Sequence, residues 1–233
     1  GDSAGHDHYR AGHLPGSVYV DLDTELAAPP TPEAGRHPLP ALADLQAAAR
    51  RWGIDVGSRV VVYDDWEGKA AARAWWLLRW AGLTDVRILD GGIGAWKAAG
   101  MRISTGDATP RVGTVVLTEG HLPTVTIDRV AALDPTQALL LDARATERFT
   151  GETEPVDPRP GHIPGAVFFD IDKIADTASD LPHMVPSPAV FSSAMRQLDI
   201  GDGQTVVVYD GLGLFSAPRV WWMLRIFGVR DVY

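Results

Sequence analysis

Two aspartates follow closely similar apolar runs, at positions where an α/β protein places reactive groups. Asp64 stands in VVVYDD at residues 60–65, and Asp210 stands in VVVYDG at residues 206–211. Each run is typical of a buried strand, and a short glycine-bearing loop and a tryptophan-rich helical pattern come after it. The backbone N–H groups of such a loop and the dipole of the helix favour a negative charge there. The two positions therefore suit a nucleophile or a bound anion.

The two acids allow a structural and a chemical interpretation. As caps of loop and helix, their carboxylates would accept backbone N–H groups and contribute about 1 kcal/mol each. As aspartyl nucleophiles or phosphoacceptors, they would need a second acid two residues on, or a nearby lysine, to hold magnesium and phosphate. Asp65 is adjacent to Asp64, so the two side chains face apart, and Gly211 follows Asp210. The residues around both acids therefore favour the structural interpretation, in which each aspartate caps its loop and helix.

The composition indicates a globular protein without nucleic-acid or membrane partners. Apolar residues make up 45% of the 233 residues, and the formal charge is −9, which gives no basic surface for DNA, RNA or anionic lipid. There is no cysteine, which excludes disulfides, thiolate metal sites and thiol nucleophiles. We predict no metal site and no cofactor, since GLGLFS at 211–216 lacks the lysine of a phosphate-binding loop. Without an apolar run of about 18 residues or a secretory leader pattern, we expect a cytoplasmic location.

The chain contains a domain-sized repeat. Residues 71–86, AARAWWLLRWAGLTDV, match residues 217–232, APRVWWMLRIFGVRDV, with a shift of 146 positions. Residues 12–23, GHLPGSVYVDLD, match residues 161–172, GHIPGAVFFDID, with a shift of 149. We therefore predict a first domain over residues 1–106, a linker over 107–124 and a second domain over 125–233.

Within each repeat, strands alternate with helices. This alternation predicts an α/β fold of two tandem domains, each with a mostly parallel sheet flanked by helices. The patterns predict strands at Ser17 to Asp21, 59–63, 87–89 and 138–141, and helices at 42–52, 70–81 and 94–99. The first domain has no counterpart of the strand in LLLDAR at 139–144, and the second is incomplete at its carboxyl end. Such gaps leave sheet edges bare and favour association, although the oligomeric state is not fixed.

Several ordered blocks of the sequence resemble a known family. GHLPGSVYVDLD, VVVYDDWEG, DARATERFTGETEPVDP, GHIPGAVFFDID and LPHMVPSP are similar to blocks of the rhodanese superfamily, specifically its two-domain thiosulfate and 3-mercaptopyruvate sulfurtransferases. The resemblance covers nearly the whole chain. It implies two rhodanese-like domains and a small anionic sulfur donor as partner, thiosulfate or 3-mercaptopyruvate.

The resemblance also assigns roles to particular residues. In that family a cysteine of the second domain carries sulfur as a persulfide to a thiophilic acceptor, whereas the first domain has an aspartate there. Asp64 and Asp210 occupy this nucleophile position, so no catalytic residue is predicted and the chain is expected to be inactive in sulfur transfer. Arg148 and Arg159 match the arginines that bind the substrate anion, although both residues could instead be solvated surface arginines.

Three functional hypotheses remain open from the sequence. The chain is a sulfurtransferase that has lost its reaction, a non-catalytic anion-binding or regulatory module, or a fragment or hybrid of a longer enzyme whose cysteine lies downstream. The hybrid is suggested because DARATERFTG resembles a catalytic second domain, whereas FFDIDKIADTASDLPHMVPSP resembles a silent first domain.

Overall fold

The chain forms two compact units, Gly1–Leu122 and Pro123–Tyr233. The computed structural model describes residues 3–32, 34–134, 138–152, 161–211 and 216–233. Unit 1 contains α1 (Ser3–Ala11), α2 (Leu42–Arg51), β1 (Val60–Val62), α3 (Lys69–Trp80), β2 (Val86–Ile88) and α4 (Gly92–Ala98). Unit 2 contains α5 (Ile127–Ala131), β3 (Ala138–Asp142), α6 (Thr146–Thr150), β4 (Val167–Phe168), α7 (Pro188–Gln197), β5 (Thr205–Tyr209) and α8 (Ala217–Ile226).

All strand pairs in the two sheets are parallel, as the alternation of strands and helices predicts. In unit 1, β1 pairs with β2. In unit 2 the order is β4-β3-β5, and Val232 adds a parallel bridge to Val206 on the outer side of β5. The α/β fold class is confirmed.

Apolar faces of the helices cover the sheets because the helical patterns place leucine and alanine on one side. In unit 1, Leu45 of α2 and Leu77 of α3 are fully buried. In unit 2, Phe169, Leu141 and Met223 form part of a larger buried cluster between β3, β5, α7 and α8. The indole N–H of Trp75 bonds the carbonyl of Val86, and the matching Trp221 bonds Val232, so the repeat extends to side-chain contacts.

The predicted strand at residues 17–21 is wrong. These residues form no ladder, although the matching residues 167–168 form β4. The physical reason is that β4 pairs only with β3, and no strand matching β3 exists among the described residues of unit 1. A strand requires a partner, and local alternation cannot supply one.

Residues of the predicted linker pack on unit 1. The N–H of Gly113 donates to the carbonyl of Arg50 at 2.8 Å, and that of Val115 donates to Ile54 at 3.1 Å. Val115, Leu117 and Leu122 are buried.

Helices α1, α5, α6 and α7 have no counterpart among the sequence predictions. Among the described residues, no helix has the length and apolar character needed to cross a bilayer.

Candidate anion site at the end of β5

Asp210 lies at the carboxyl end of β5, directly before the loop that leads into α8. One oxygen of its carboxylate, Oδ2, accepts the backbone N–H groups of Ser216 and Ala217, both at 2.9 Å. Pro218 in the first turn of α8 has no N–H to donate, and its fixed φ suits a helix start. The carboxylate therefore occupies the anion-favouring start of this helix.

Asp64 has the matching place in unit 1 and is also held by backbone N–H groups. Its Oδ1 accepts the N–H groups of Trp66 at 3.0 Å and Gly68 at 2.8 Å, and its Oδ2 accepts that of Ala71 at 2.9 Å. Glu67 and Gly68 both have left-handed backbone conformations, with φ of 56° and 81°, which turn the loop around the carboxylate. The interpretation of Asp64 as a loop and helix cap is confirmed.

A pocket of about 220 Å³ lies beside Asp210. It contains both acidic and basic side chains. The charged residues that line it are Arg144, Arg148, Asp170, Asp172 and Asp210. The pocket thus brings Arg148, which the resemblance assigns to the substrate anion, together with Asp210. Arg159, the second predicted substrate-binding arginine, lies outside the described residues.

Most charges of this pocket already have partners. Asp170 contacts the ammonium of Lys173 at 2.9 Å. Burial raises the pKa of the Asp170 carboxyl group, but the hydrogen bonds and charge of Lys173 lower it more, so the pKa of Asp170 is below its ordinary value. Asp172 contacts His183 at 2.7 Å. Arg148 is half-buried and forms no ion pair with any residue that the structure describes. Its guanidinium is the group of this pocket that is available to an anion.

Arg144 is committed to a buried network that the sequence analysis did not identify. Its guanidinium contacts Asp142, which is fully buried, with the shortest N–O distance at 2.7 Å, and it donates to the carbonyl of Gly161 at 2.6 Å. The hydroxyl of Tyr209 donates to Asp142 at 2.7 Å. Burial and this bond to the carboxylate raise the pKa of Tyr209 to about 12. The network joins the ends of β3 and β5 to the turn at residue 161.

The sequence contained a signal for this network. An acid at the last position of an apolar strand, with an arginine two residues later, places both side chains at the strand end, as DAR at 142–144 does. The turn at residue 161 also carries His162, whose Nδ1 lies 3.0 Å from the carbonyl oxygen of Phe149. In unit 1, Nδ1 of His13 makes the matching contact with the carbonyl oxygen of Tyr9 at 2.8 Å.

The pocket of unit 1 has a different charge. It encloses about 560 Å³ beside Asp64, and its lining includes Asp65, Glu67 and Asp90 but no lysine or arginine. An anion has no cationic partner in the part of this pocket that the structure describes. No group of three or more acids and histidines suited to a metal ion occurs among the described residues of either unit.

The fold and the site define a class of protein: two α/β units, each with an acid at the end of a parallel strand, and a pocket lined by two arginines beside the second acid. The sequence profile of the rhodanese-like domain matches residues 2–99 and 127–233. The chain therefore belongs to the rhodanese family, as a protein with two such domains in tandem.

Curated relatives and solved structures agree with this assignment. The putative thiosulfate sulfurtransferase SseB of Mycobacterium tuberculosis is 43% identical over 93% of this chain and 75% of its own length. A probable 3-mercaptopyruvate sulfurtransferase of Pseudomonas aeruginosa is 46% identical over 68% of this chain and 57% of its own length. The crystal structure of SseA from Escherichia coli, described as a 3-mercaptopyruvate sulfotransferase, superposes with a TM-score of 0.75 at 26% identity. It covers 97% of this chain and 83% of SseA.

Proposed function

We propose that this chain binds a small sulfur-containing anion, thiosulfate or 3-mercaptopyruvate, in the pocket of unit 2 without carrying sulfur on its own residues. The observation that supports this function is the guanidinium of Arg148, which has no ion pair among the described residues and lines one pocket with Asp210 at the strand end. The relatives are named for sulfur transfer from these two donors, and the pocket has a volume suited to a small anion.

The binding part of the proposal depends on Arg148. A guanidinium offers paired N–H donors that match the oxygens of a carboxylate or a thiosulfate. We keep Arg159 as the second proposed arginine, and only the family resemblance supports this role. Asp210 opposes binding by charge repulsion and by occupying the N–H groups of Ser216 and Ala217, so we expect weak, salt-sensitive affinity.

The absence of transfer follows from the chemistry of sulfur. A thiolate attacks the outer sulfur of thiosulfate, the S–S bond breaks, sulfite leaves and a persulfide remains. Cyanide then takes the terminal sulfur as thiocyanate and restores the thiolate. The chain has no cysteine, and the oxygen of Asp210 cannot replace a polarisable sulfur nucleophile in thiol–disulfide-type exchange.

The binding part is tested by calorimetric titration with thiosulfate. Arg148→Ala should weaken binding roughly tenfold, the effect of losing a hydrogen bond to a charged group at a partly exposed site. Arg129→Ala is the matched control, because Arg129 is also an arginine of a short helix in unit 2 but is exposed and outside the pocket. Equal affinity in the wild-type protein and Arg148→Ala would show that this pocket is not the binding site.

The transfer part is tested by replacing each acid with cysteine. The wild-type protein, incubated with thiosulfate and cyanide, should form no thiocyanate above the buffer rate. Asp210→Cys should gain the mass of one sulfur atom and form thiocyanate, since two N–H groups and a helix start stabilise the thiolate. Asp64→Cys is the control. It should neither gain a sulfur atom nor form thiocyanate, because the described lining of the pocket in unit 1 contains no lysine or arginine. An added sulfur on the wild-type chain would refute the proposal.

A further inference from the structure

The pocket of unit 2 is lined by side chains of both charges. The charged groups are those of Arg144, Arg148, Asp170, Asp172 and Asp210. A carboxylate repels an anion and attracts a cation, with a strength that falls with distance and with solvent screening. The ligand preference of the pocket therefore depends on which of these charges are already held by other residues.

Three of the five charged groups are held by neighbouring residues. The guanidinium of Arg144 lies 2.7 Å from a carboxylate oxygen of the buried Asp142. Asp170 contacts the ammonium of Lys173 at 2.9 Å, and its Oδ1 accepts two backbone N–H groups, both at 3.1 Å. Asp210 is bonded by two backbone N–H groups at the start of α8.

The other two charged groups, Arg148 and Asp172, make few contacts. Arg148 forms no ion pair with a residue that the structure describes. Asp172 accepts the ring N–H of His183 through Oδ1 at 2.7 Å, whereas its Oδ2 accepts no bond from the described residues, and its side chain is 77% exposed. The pocket thus offers one cationic and one anionic group to a single ligand.

Unit 1 shows that the contact between Asp172 and His183 is part of the repeat. Asp23 lies at the position that matches Asp172, and His37 contacts it at 3.0 Å. In unit 1 neither of these residues lines the pocket, and the described lining contains no lysine or arginine. Among the described residues, the repeated pair therefore brings a carboxylate to a pocket with a guanidinium in unit 2 but not in unit 1.

The rest of the pocket lining suits a small sulfur-bearing group. It includes the apolar side chains of Ala143, Phe168 and Ile171. A thiol or thioether packs like a small apolar group and makes favourable contacts with aromatic rings. The volume of about 220 Å³ is below the roughly 300 Å³ at which pockets for drug-sized ligands begin, so the pocket suits a small ligand.

We propose that the pocket of unit 2 binds a zwitterion, a small sulfur-containing α-amino acid such as free cysteine, in preference to an anion without a positive group. Asp172 is the residue that determines this preference. The inference rests on the proposed function, in which Arg148 binds the negative group of the ligand. The carboxylate of the amino acid pairs with the guanidinium of Arg148, and its ammonium pairs with Oδ2 of Asp172.

The first test compares two ligands that differ only in the ammonium group, free cysteine and 3-mercaptopropionate. Both carry a carboxylate and a thiol. Titration of the intact protein at pH 7 in oxygen-free solution, followed by amide NMR, should give a dissociation constant roughly fivefold lower for cysteine. This factor is the upper range for one ion pair at an exposed position. Higher salt should reduce the difference, because it screens exposed charges.

The second test removes the charge of Asp172 and retains its shape. In Asp172→Asn the side-chain oxygen can still accept the N–H of His183. The affinity for cysteine should fall roughly fivefold, whereas the affinity for thiosulfate, which carries two negative charges, should rise about twofold. A general structural defect would lower both affinities. Asp180→Asn is the matched control, because Asp180 is an exposed acid of unit 2 outside the pocket lining, and it should leave the ratio of the two affinities unchanged.

Three outcomes would overturn the inference. The first is equal affinity of the wild-type protein for cysteine and 3-mercaptopropionate. The second is an Asp172→Asn variant that retains the preference for cysteine. The third is an Asp180→Asn variant that loses the preference to the same extent as Asp172→Asn. Thiosulfate separates this inference from the proposed function: if its binding depends on Arg148 but cysteine is not preferred, only the inference fails. If Arg148→Ala binds thiosulfate as the wild-type protein does, the proposed function fails too.

Discussion

Removal of the Asp142 carboxylate should strongly destabilise unit 2. Asp142 is fully buried, and Arg144 is 10% exposed in its side chain, so Asp142→Ala removes the carboxylate that contacts this largely buried guanidinium at 2.7 Å. It also removes the acceptor of the Tyr209 hydroxyl. Breaking one side of a buried pair typically costs about 3–5 kcal/mol, a large fraction of the roughly 5–15 kcal/mol by which a domain is stable.

Urea unfolding provides the assay, with tryptophan fluorescence and circular dichroism followed together, because two units need not unfold in one step. The double variant Asp142→Ala, Arg144→Met should recover part of the loss, since the buried guanidinium that has lost the Asp142 carboxylate is then gone. Asp55→Ala is the matched control in unit 1: its partner Arg111 is mostly exposed, and we expect a much smaller effect. If Asp142→Ala unfolds like the wild-type protein, or the double variant recovers nothing, the reasoning about the buried charge is refuted.

Two further predictions concern Tyr209 and Asp64. The pKa of Tyr209 is raised to about 12 from an ordinary value near 10, so the neutral hydroxyl stabilises the folded state below pH 10 and this contribution is lost as the pH rises toward 12. Alkaline titration of the free energy of unfolding should show this loss; an unchanged alkaline slope in Tyr209→Phe would contradict it. Asp64→Ala removes three accepted N–H bonds and should reduce the free energy of unfolding by roughly 1–2 kcal/mol. Asp65→Ala, at the exposed neighbouring position, should cost less in the same urea titration, and equal losses would show that the three bonds are not responsible.

The sequence patterns predicted the elements that depend on local periodicity. The pattern at 70–81 predicted α3 to within one residue at each end, because its apolar faces recur at helical spacing. The strand pattern at 17–21 was wrong, because a strand is completed by a neighbour that may lie far away in the chain. In unit 2 that neighbour is β3, whose Leu141 pairs with Val167 of β4, 26 positions further along the chain.

The sequence by itself determined the repeat, the parallel α/β class, the absence of cysteine and the acids at two strand ends, since these follow from residue identity and local order. Tertiary structure decided which charges meet. Asp142 and Tyr209 are 67 positions apart, and only the pairing of β3 with β5 brings the carboxylate to the hydroxyl. Packing also distinguishes two arginines that line the same pocket, because Arg144 is bonded to the buried Asp142 whereas Arg148 forms no ion pair with a described residue. Burial and partnership are properties of the folded chain, and they determine whether a charge holds the fold together or remains available to a ligand.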